Sequence, residues 1–205
     1  MRALARPMTL LATAVLIAGT VRAQTCVGNS ALEHAKMNIA GVAKFGDHWK
    51  SYGGELNSAL TRWAYLGLGA SSTTFDGFSD KQLDAKASLG IEISAGNVSV
   101  CPIGFGGYSK VTGADGESSY GGGLGAGLTV NPGSSFALIP FGGLMYSRPT
   151  KTDLCGSDCG NTDIFAGLGL RFGGGIQLSP QFSKSTRSGS KAVYGVSLSF
   201  LFGKT

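Results

Sequence analysis

The stretch Val193–Phe202 alternates with period two. Tyr194, Val196, Leu198, Phe200 and Phe202 fall on one face, and Val193, Gly195, Ser197, Ser199 and Leu201 on the other. A large apolar or aromatic face backed by a small, weakly polar one suits a wall between lipid and a filled lumen. The same period recurs upstream and predicts ten strands, at about 34–45, 52–60, 63–75, 83–95, 98–111, 119–130, 136–148, 163–173, 176–184 and 193–202. The count falls to eight if one weak pair is loop.

Segment 83–95 is the clearest. Ala85, Ala87, Leu89, Ile91 and Ile93 face one way, and Asp84, Lys86, Ser88, Gly90, Glu92 and Ser94 the other. In 119–130 and 163–173, outward sets headed by Tyr120, Leu124 and Leu128, and by Ile164, Leu168 and Phe172, oppose faces made mostly of glycine. Two strands break the pattern. Ile103 and Phe105 share a face with Ser99 and Cys101, and 136–145 is apolar on both faces, so either bulky residues pack inward or a bulge shifts the register.

Gly96-Asn97 reads as a two-residue hairpin turn and Asn131-Pro132-Gly133 as another short turn. Pro102, Pro140 and Pro180 stand 38 and 40 residues apart, and the first two are each followed by Tyr-Ser six and seven residues on. This repeat places a proline at a similar height in three strands of the same direction. Since proline donates no backbone hydrogen bond, these positions are expected near the short-turn rim or at bulges.

Glycine is abundant, 34 of 205 residues, and only 14% of residues are charged. The glycines recur at alternate positions inside patterned segments, which argues against low complexity. Beyond the N-terminus no apolar run is long enough for a spanning helix. A chain of this pattern in lipid must close into a barrel, because lipid offers no partner for open strand edges. A soluble lipocalin-like periplasmic carrier is the rival, and it would turn Leu89 and Ile91 inside and Glu92 outside. The glycine faces of 119–130 and 163–173 disfavour it, since they suit a crowded lumen better than a solvent surface.

Arg2 and Arg6, an apolar run over 8–19 and the ending Val21-Arg22-Ala23 describe a secretory signal peptide over 1–23. A leader over 24–33 and a barrel domain over 34–205 follow. A lipid anchor at Cys26 is disfavoured by the preceding Gln24 and Thr25. Cleavage removes Arg2, Arg6 and Arg22, so the formal charge falls from +5 to +2. The basic balance therefore implies no nucleic-acid partner.

With alternating strands, short turns after every second strand and the ending Gly195-Val196-Ser197-Leu198-Ser199-Phe200, the chain resembles small bacterial outer-membrane β-barrel proteins of the OmpA-like barrel-domain type. The resemblance covers about 34–202. It implies an all-β antiparallel up-and-down barrel in the bacterial outer membrane, with outer-membrane lipid as its surroundings. It also implies that the barrel-assembly machinery receives the chain by its terminal strand, through Gly195, Leu198, Phe200 and Phe202. Two departures are Val193, where a polar residue is common, and the extension by Gly203, Lys204 and Thr205.

Four cysteines in an exported chain imply disulfides. Cys155 and Cys159 would close a small loop, and Cys101, near the short-turn rim, would pair with Cys26 and pin the leader beneath the barrel. The two pairs lie at opposite ends, which disfavours a shared metal. The expected lumen charges are Lys36, Lys44, Glu55, Asp84, Lys86, Glu92 and Arg171, with His34 at the rim. They read as ion pairs filling a narrow lumen, with Glu92 and Arg171 candidates to pair across it, or as a charged constriction in a pore. Asp47-His48, in the first loop, invites comparison with omptin proteases, and a Ser/His pair with lipid A deacylases. No second acidic pair and no serine partner for either histidine is evident, so no catalytic residue, cofactor or enzymatic activity is expected. The expected role is structural or surface-interacting, with a largely filled lumen, and a narrow porin-like channel for small solutes is the alternative. The sequence leaves the oligomeric state open.

Overall fold

The computed structural model describes residues 37–61, 63–133, 135–151, 159–173 and 175–203. The elements are β1 (Met37–Gly46), β2 (Trp49–Ala59), β3 (Ala64–Phe75), β4 (Lys81–Ile91), β5 (Ile93–Ala95), β6 (Val98–Val111), β7 (Glu117–Leu128), β8 (Val130–Gly133), β9 (Phe136–Pro149), β10 (Asn161–Phe172), β11 (Ile176–Ser185) and β12 (Val193–Phe202). β4 and β5 are one stave interrupted at Glu92, and β7 and β8 one stave interrupted at Thr129, which leaves ten staves. Each stave pairs antiparallel with its sequence neighbours, and β1 pairs with β12 to close the wall. The segments read as signal peptide and leader, with His34 and Lys36, lie outside the described residues.

The register fixes the barrel's shape. One row of partners runs from Val111 through Gln82, Thr73, Ser51, Lys44, Gly195, Gln181, Gly167, Phe141 and Gly127, and returns to β6 at Ser99, twelve residues from its start. A shear of that size on ten staves tilts the strands by roughly 40°. Staves of this length then cross an apolar layer with residues to spare.

The faces follow the alternation. Leu68, Leu89, Ile91, Leu124, Leu144, Ile164, Leu198 and Phe200 point outward and are exposed, whereas Asn38, Asn57, Glu92, Arg171 and Ser199 are buried inside. This orientation excludes the soluble carrier, which needs the inverse. In the two ambiguous strands, bulky residues pack inward: Cys101, Ile103, Ile139 and Phe141 are buried, and the register of β6 and β9 against β7 runs without a shift. A correction applies at 131–133. These residues pair with β9 as part of β8, through a register irregularity between Val130 and Gly133, so the turn falls later than the Asn-Pro-Gly signal suggested.

Pro102, Pro140 and Pro180 are each the fifth residue of their strands, near the short-turn end, and all three face outward. Each leaves a gap in the ladder toward the preceding stave. Extending the registers puts Pro102 opposite Ile91, Pro140 opposite Leu128 and Pro180 opposite Leu168, and pairing is missing there and at the following position. The missing N–H accounts for all three gaps, including the breaks at Glu92 and Thr129. On the other side the ladder continues, through Pro102 with Leu124, Pro140 with Leu168 and Pro180 with Val196.

The glycines acquire a structural meaning from the register. Tyr65 faces Gly90, Phe105 faces Gly121, Phe165 faces Gly143 and Phe141 faces Gly167, each as a direct cross-strand pair. In every case the ring lies where a Cβ on the glycine would stand, at 2.1 to 2.7 Å. Each inward ring thus uses the space left by its partner's missing side chain, and in return covers the glycine backbone.

Candidate functional site

The interior divides along the barrel axis. Toward the short-turn end, Tyr65, Cys101, Ile103, Ile139 and Phe141 form an apolar floor, with Ile139 and Cys101 at 0% exposure, and Phe165 stands higher, on the cavity wall. Beneath and around it lies a layer of buried polar groups from many staves. Ser94 donates to Glu92 Oε1 at 2.9 Å and stands 3.1 Å from Ser99, Gln177 donates to Ser179 at 2.8 Å, and Asn57 donates to Asn38 at 3.4 Å. Arg171 is buried in the same layer, at the same end as Glu92.

A cavity of about 670 Å³ extends from this level, where Asn57, Ser179 and Ser199 border it, toward the loops. Lys44, Glu55, Asp84 and Lys86 line it, as does Asp163, which the sequence reading did not single out. Glu55 reaches this wall because Gly69 separates it from Lys86 along one row of partners, and the Glu55 side chain leans over that glycine. Lys86 Nζ sits 4.3 Å above the centroid of the Phe105 ring, a cation–π contact, and lies in the field of both Glu55 and Lys44. Asp84 accepts hydrogen bonds from Gln82 at 2.7 Å and Ser109 at 2.9 Å, and Asp163 from Asn161 at 2.8 Å. Of the expected lumen charges, four therefore share the cavity, and two lie in the polar layer at the floor.

Asp47 and His48 occupy the tip of the β1–β2 hairpin, with His48 at φ 62°. Lys191 Nζ reaches Asp47 Oδ2 at 2.5 Å and ties this hairpin to the β11–β12 loop. That hydrogen bond, assisted by the nearby charges, holds the Asp47 carboxyl below the ordinary carboxylate range. Neither cysteine among the described residues is free, and both Cys101 and Cys159 are disulfide-bonded. Cys26 and Cys155, their expected partners, lie outside the described residues.

The exterior carries a signal that sequence reading missed. Of six tyrosines, only Tyr65 is inside, at 3% exposure; the other five point outward at 45% to 63%. Tyr52 and Tyr120 are the fourth residues of β2 and β7, Tyr108 and Tyr146 the fourth from the ends of β6 and β9, and Tyr194 the second of β12. They ring the loop end of an apolar wall, while Trp63, Phe172, Phe200 and Phe202 ring its turn end. An apolar band between two aromatic girdles, on a closed wall with charge inside, fits lipid and not water. The chain is a transmembrane β-barrel. Counting tyrosines from the predicted strand ends would have found the upper girdle.

No family model matches the chain, and no curated protein does. Among solved structures, it is similar to the N-terminal β-barrel domain of Pseudomonas aeruginosa OprF (14% identity, 80% of this chain and 95% of that one, TM-score 0.36). It is also similar to the NanC porin (12%, 80% and 98%, 0.42) and to the outer membrane enzyme PagL (12%, 81% and 99%, 0.38). The OmpA-like family assignment is thus not carried by any family model. The expectation of a non-enzyme needs correcting: barrels similar to this one include an outer membrane enzyme, so the architecture does not exclude catalysis, and enzymatic status is open.

Proposed function

We propose that this chain is an integral outer-membrane β-barrel with a structural or surface-interaction role, whose lumen is closed toward the short-turn end. The observation that supports this reading is the floor of Tyr65, Cys101, Ile103, Ile139 and Phe141, at the turn end of a cavity that extends toward the loops. Buried apolar and polar side chains crowd the lumen toward the turns, and it is polar and hollow toward the loops. Purified protein in planar bilayers is expected to show no stable conductance steps. Discrete, reproducible openings would instead establish the narrow porin-like reading, which the cavity of about 670 Å³ and its charged lining favour.

Two further parts belong to this reading. Cys101 lies fourth in β6, at the turn end, and Cys159 just before β10, at the loop end, so they are too far apart to bond to each other. The pairs are Cys26 with Cys101 and Cys155 with Cys159, and peptide mapping without reductant identifies them. The signal peptide over 1–23 is cleaved on export, and the N-terminal sequence of the membrane form locates the cut.

A further inference from the structure

Among the described residues, every charged side chain that a strand directs outward is a cation. They are Lys50 in β2, Lys81 in β4, Lys110 in β6, Arg148 in β9 and Lys184 in β11. Each stands two residues from an exposed outward residue on the loop side of the wall: Tyr52, Leu83, Tyr108, Tyr146 and Phe182, respectively. The strand acids Glu55, Asp84, Glu117 and Asp163 share the inward face, as do Lys44, Lys86 and Arg171. Cations are therefore sorted to both sides of the wall, and acids to the inside alone.

Long basic side chains settle at any lipid–water boundary, because the stem stays in lipid and the charge reaches water. That general tendency predicts cations at both rims. Among the described residues the turn-side rim has none: its outward residues Met37, Trp63, Ile93, Val98, Leu128, Phe172, Ile176 and Phe202 are all apolar. The five cations also lack acidic partners on the outer wall, and they are spread over five of the ten staves. A collar of cations with no acid beside it on the outer wall calls for negative charge supplied by that leaflet.

We propose that the collar of Lys50, Lys81, Lys110, Arg148 and Lys184 binds phosphate-bearing lipid headgroups of the leaflet on the loop side. The lysines act as point charges and Arg148 offers a two-pronged donor to phosphate oxygens. The proposal rests on the membrane reading above.

The test reconstitutes the full chain into phosphatidylcholine vesicles containing a minor share of phosphatidic acid. Lipids retained after gentle detergent extraction are counted by native mass spectrometry. Retained phosphatidic acid is expected to exceed its bulk share by about tenfold, a conservative figure for five cations near an anionic surface. The enrichment is expected to vanish in the variant Lys50→Gln/Lys81→Gln/Lys110→Gln/Arg148→Gln/Lys184→Gln, and to survive in the lumen variant Lys44→Gln/Lys86→Gln. Equal enrichment in wild type and collar variant overturns the proposal, as does none in wild type. Loss of enrichment on adding inorganic phosphate also counts against it, since that marks a site for free phosphate. Should the fivefold variant not fold, Lys50→Gln/Lys81→Gln/Lys110→Gln and Arg148→Gln/Lys184→Gln are each expected to lower enrichment, and no change in either sinks the idea. Flotation with pure phosphatidylcholine vesicles reads the membrane assignment separately, because insertion there needs no anionic lipid.

Discussion

Glycine at alternate inward positions was legible in the sequence as a sign of a crowded lumen, but its partners were not, because they come from register. Gly90 shows how close the fit is: all three nearest neighbours of an added Cβ are atoms of the Tyr65 ring, the closest at 2.1 Å. Gly90→Ala is expected to lower stability by about 1 to 3 kcal/mol, as overpacking does. In a Tyr65→Ala background the same change is expected to be nearly silent, and additive effects in denaturant unfolding would refute the ring-over-glycine account. Gly41, with nothing within 4 Å of an added Cβ, serves as the tolerant control. At the hairpin tip, Asp47 makes a different prediction. Its lowered pKa means that the tie to Lys191 holds at and above the ordinary carboxylate range and is lost as pH falls through the lowered value. NMR titration of Asp47 is expected to show this low value, and Lys191→Met to bring it up toward the ordinary one. An unchanged titration would show that Lys191 is not the cause.

At the level of strands, the three prolines were visible as a repeat and their low position was readable from proline's missing donor. What the sequence could not show is that all three gaps open toward the preceding stave. That depends on which side of its strand each residue aims its N–H and C=O, and a shift of one residue would reverse it. The gaps fall between β4/β5 and β6, β7/β8 and β9, and β10 and β11. Pro102→Ala, Pro140→Ala and Pro180→Ala each supply the absent donor. Each is expected to raise unfolding stability by about 0.5 to 1.5 kcal/mol, one ladder hydrogen bond's net worth. A fall in stability would mean that the ring's packing against lipid outweighs the bond. Strand existence was read correctly because alternation is strong over a dozen residues. The Asn131-Pro132-Gly133 turn was misplaced because turn chemistry is compatible with the irregular pairing of β8.

For the whole molecule, the sequence carried the closed ten-stave wall, its faces and the union of first and last strands, since each follows from period and from the need to satisfy strand edges in lipid. The division of the lumen into floor and cavity was hidden, because it depends on which inward residues meet at one height. Removing the floor with Ile103→Ala/Ile139→Ala/Phe141→Ala is expected to produce conductance where wild type shows none, and silence from a folded variant would place the block elsewhere. The pairing of rings with glycines also bears on how the wall finds its alignment. Backbone hydrogen bonding repeats every two residues and is indifferent to a slip of that size, so side chains must arbitrate. Sliding β10 by two against β9 sets Phe165 opposite Phe141 or Met145 in place of Gly143, and the strands cannot close up. Sliding β7 against β6 can exchange Gly121 for Gly123 opposite Phe105, so the β6 side does not object, but the same slide sets Thr129 in place of Gly127 opposite Phe141 once β9 pairs. The glycine stave is therefore free to slip only until β9 pairs with it, and a two-residue slip of β7 on β6 is the error to look for in assembly intermediates in which β9 has not yet docked.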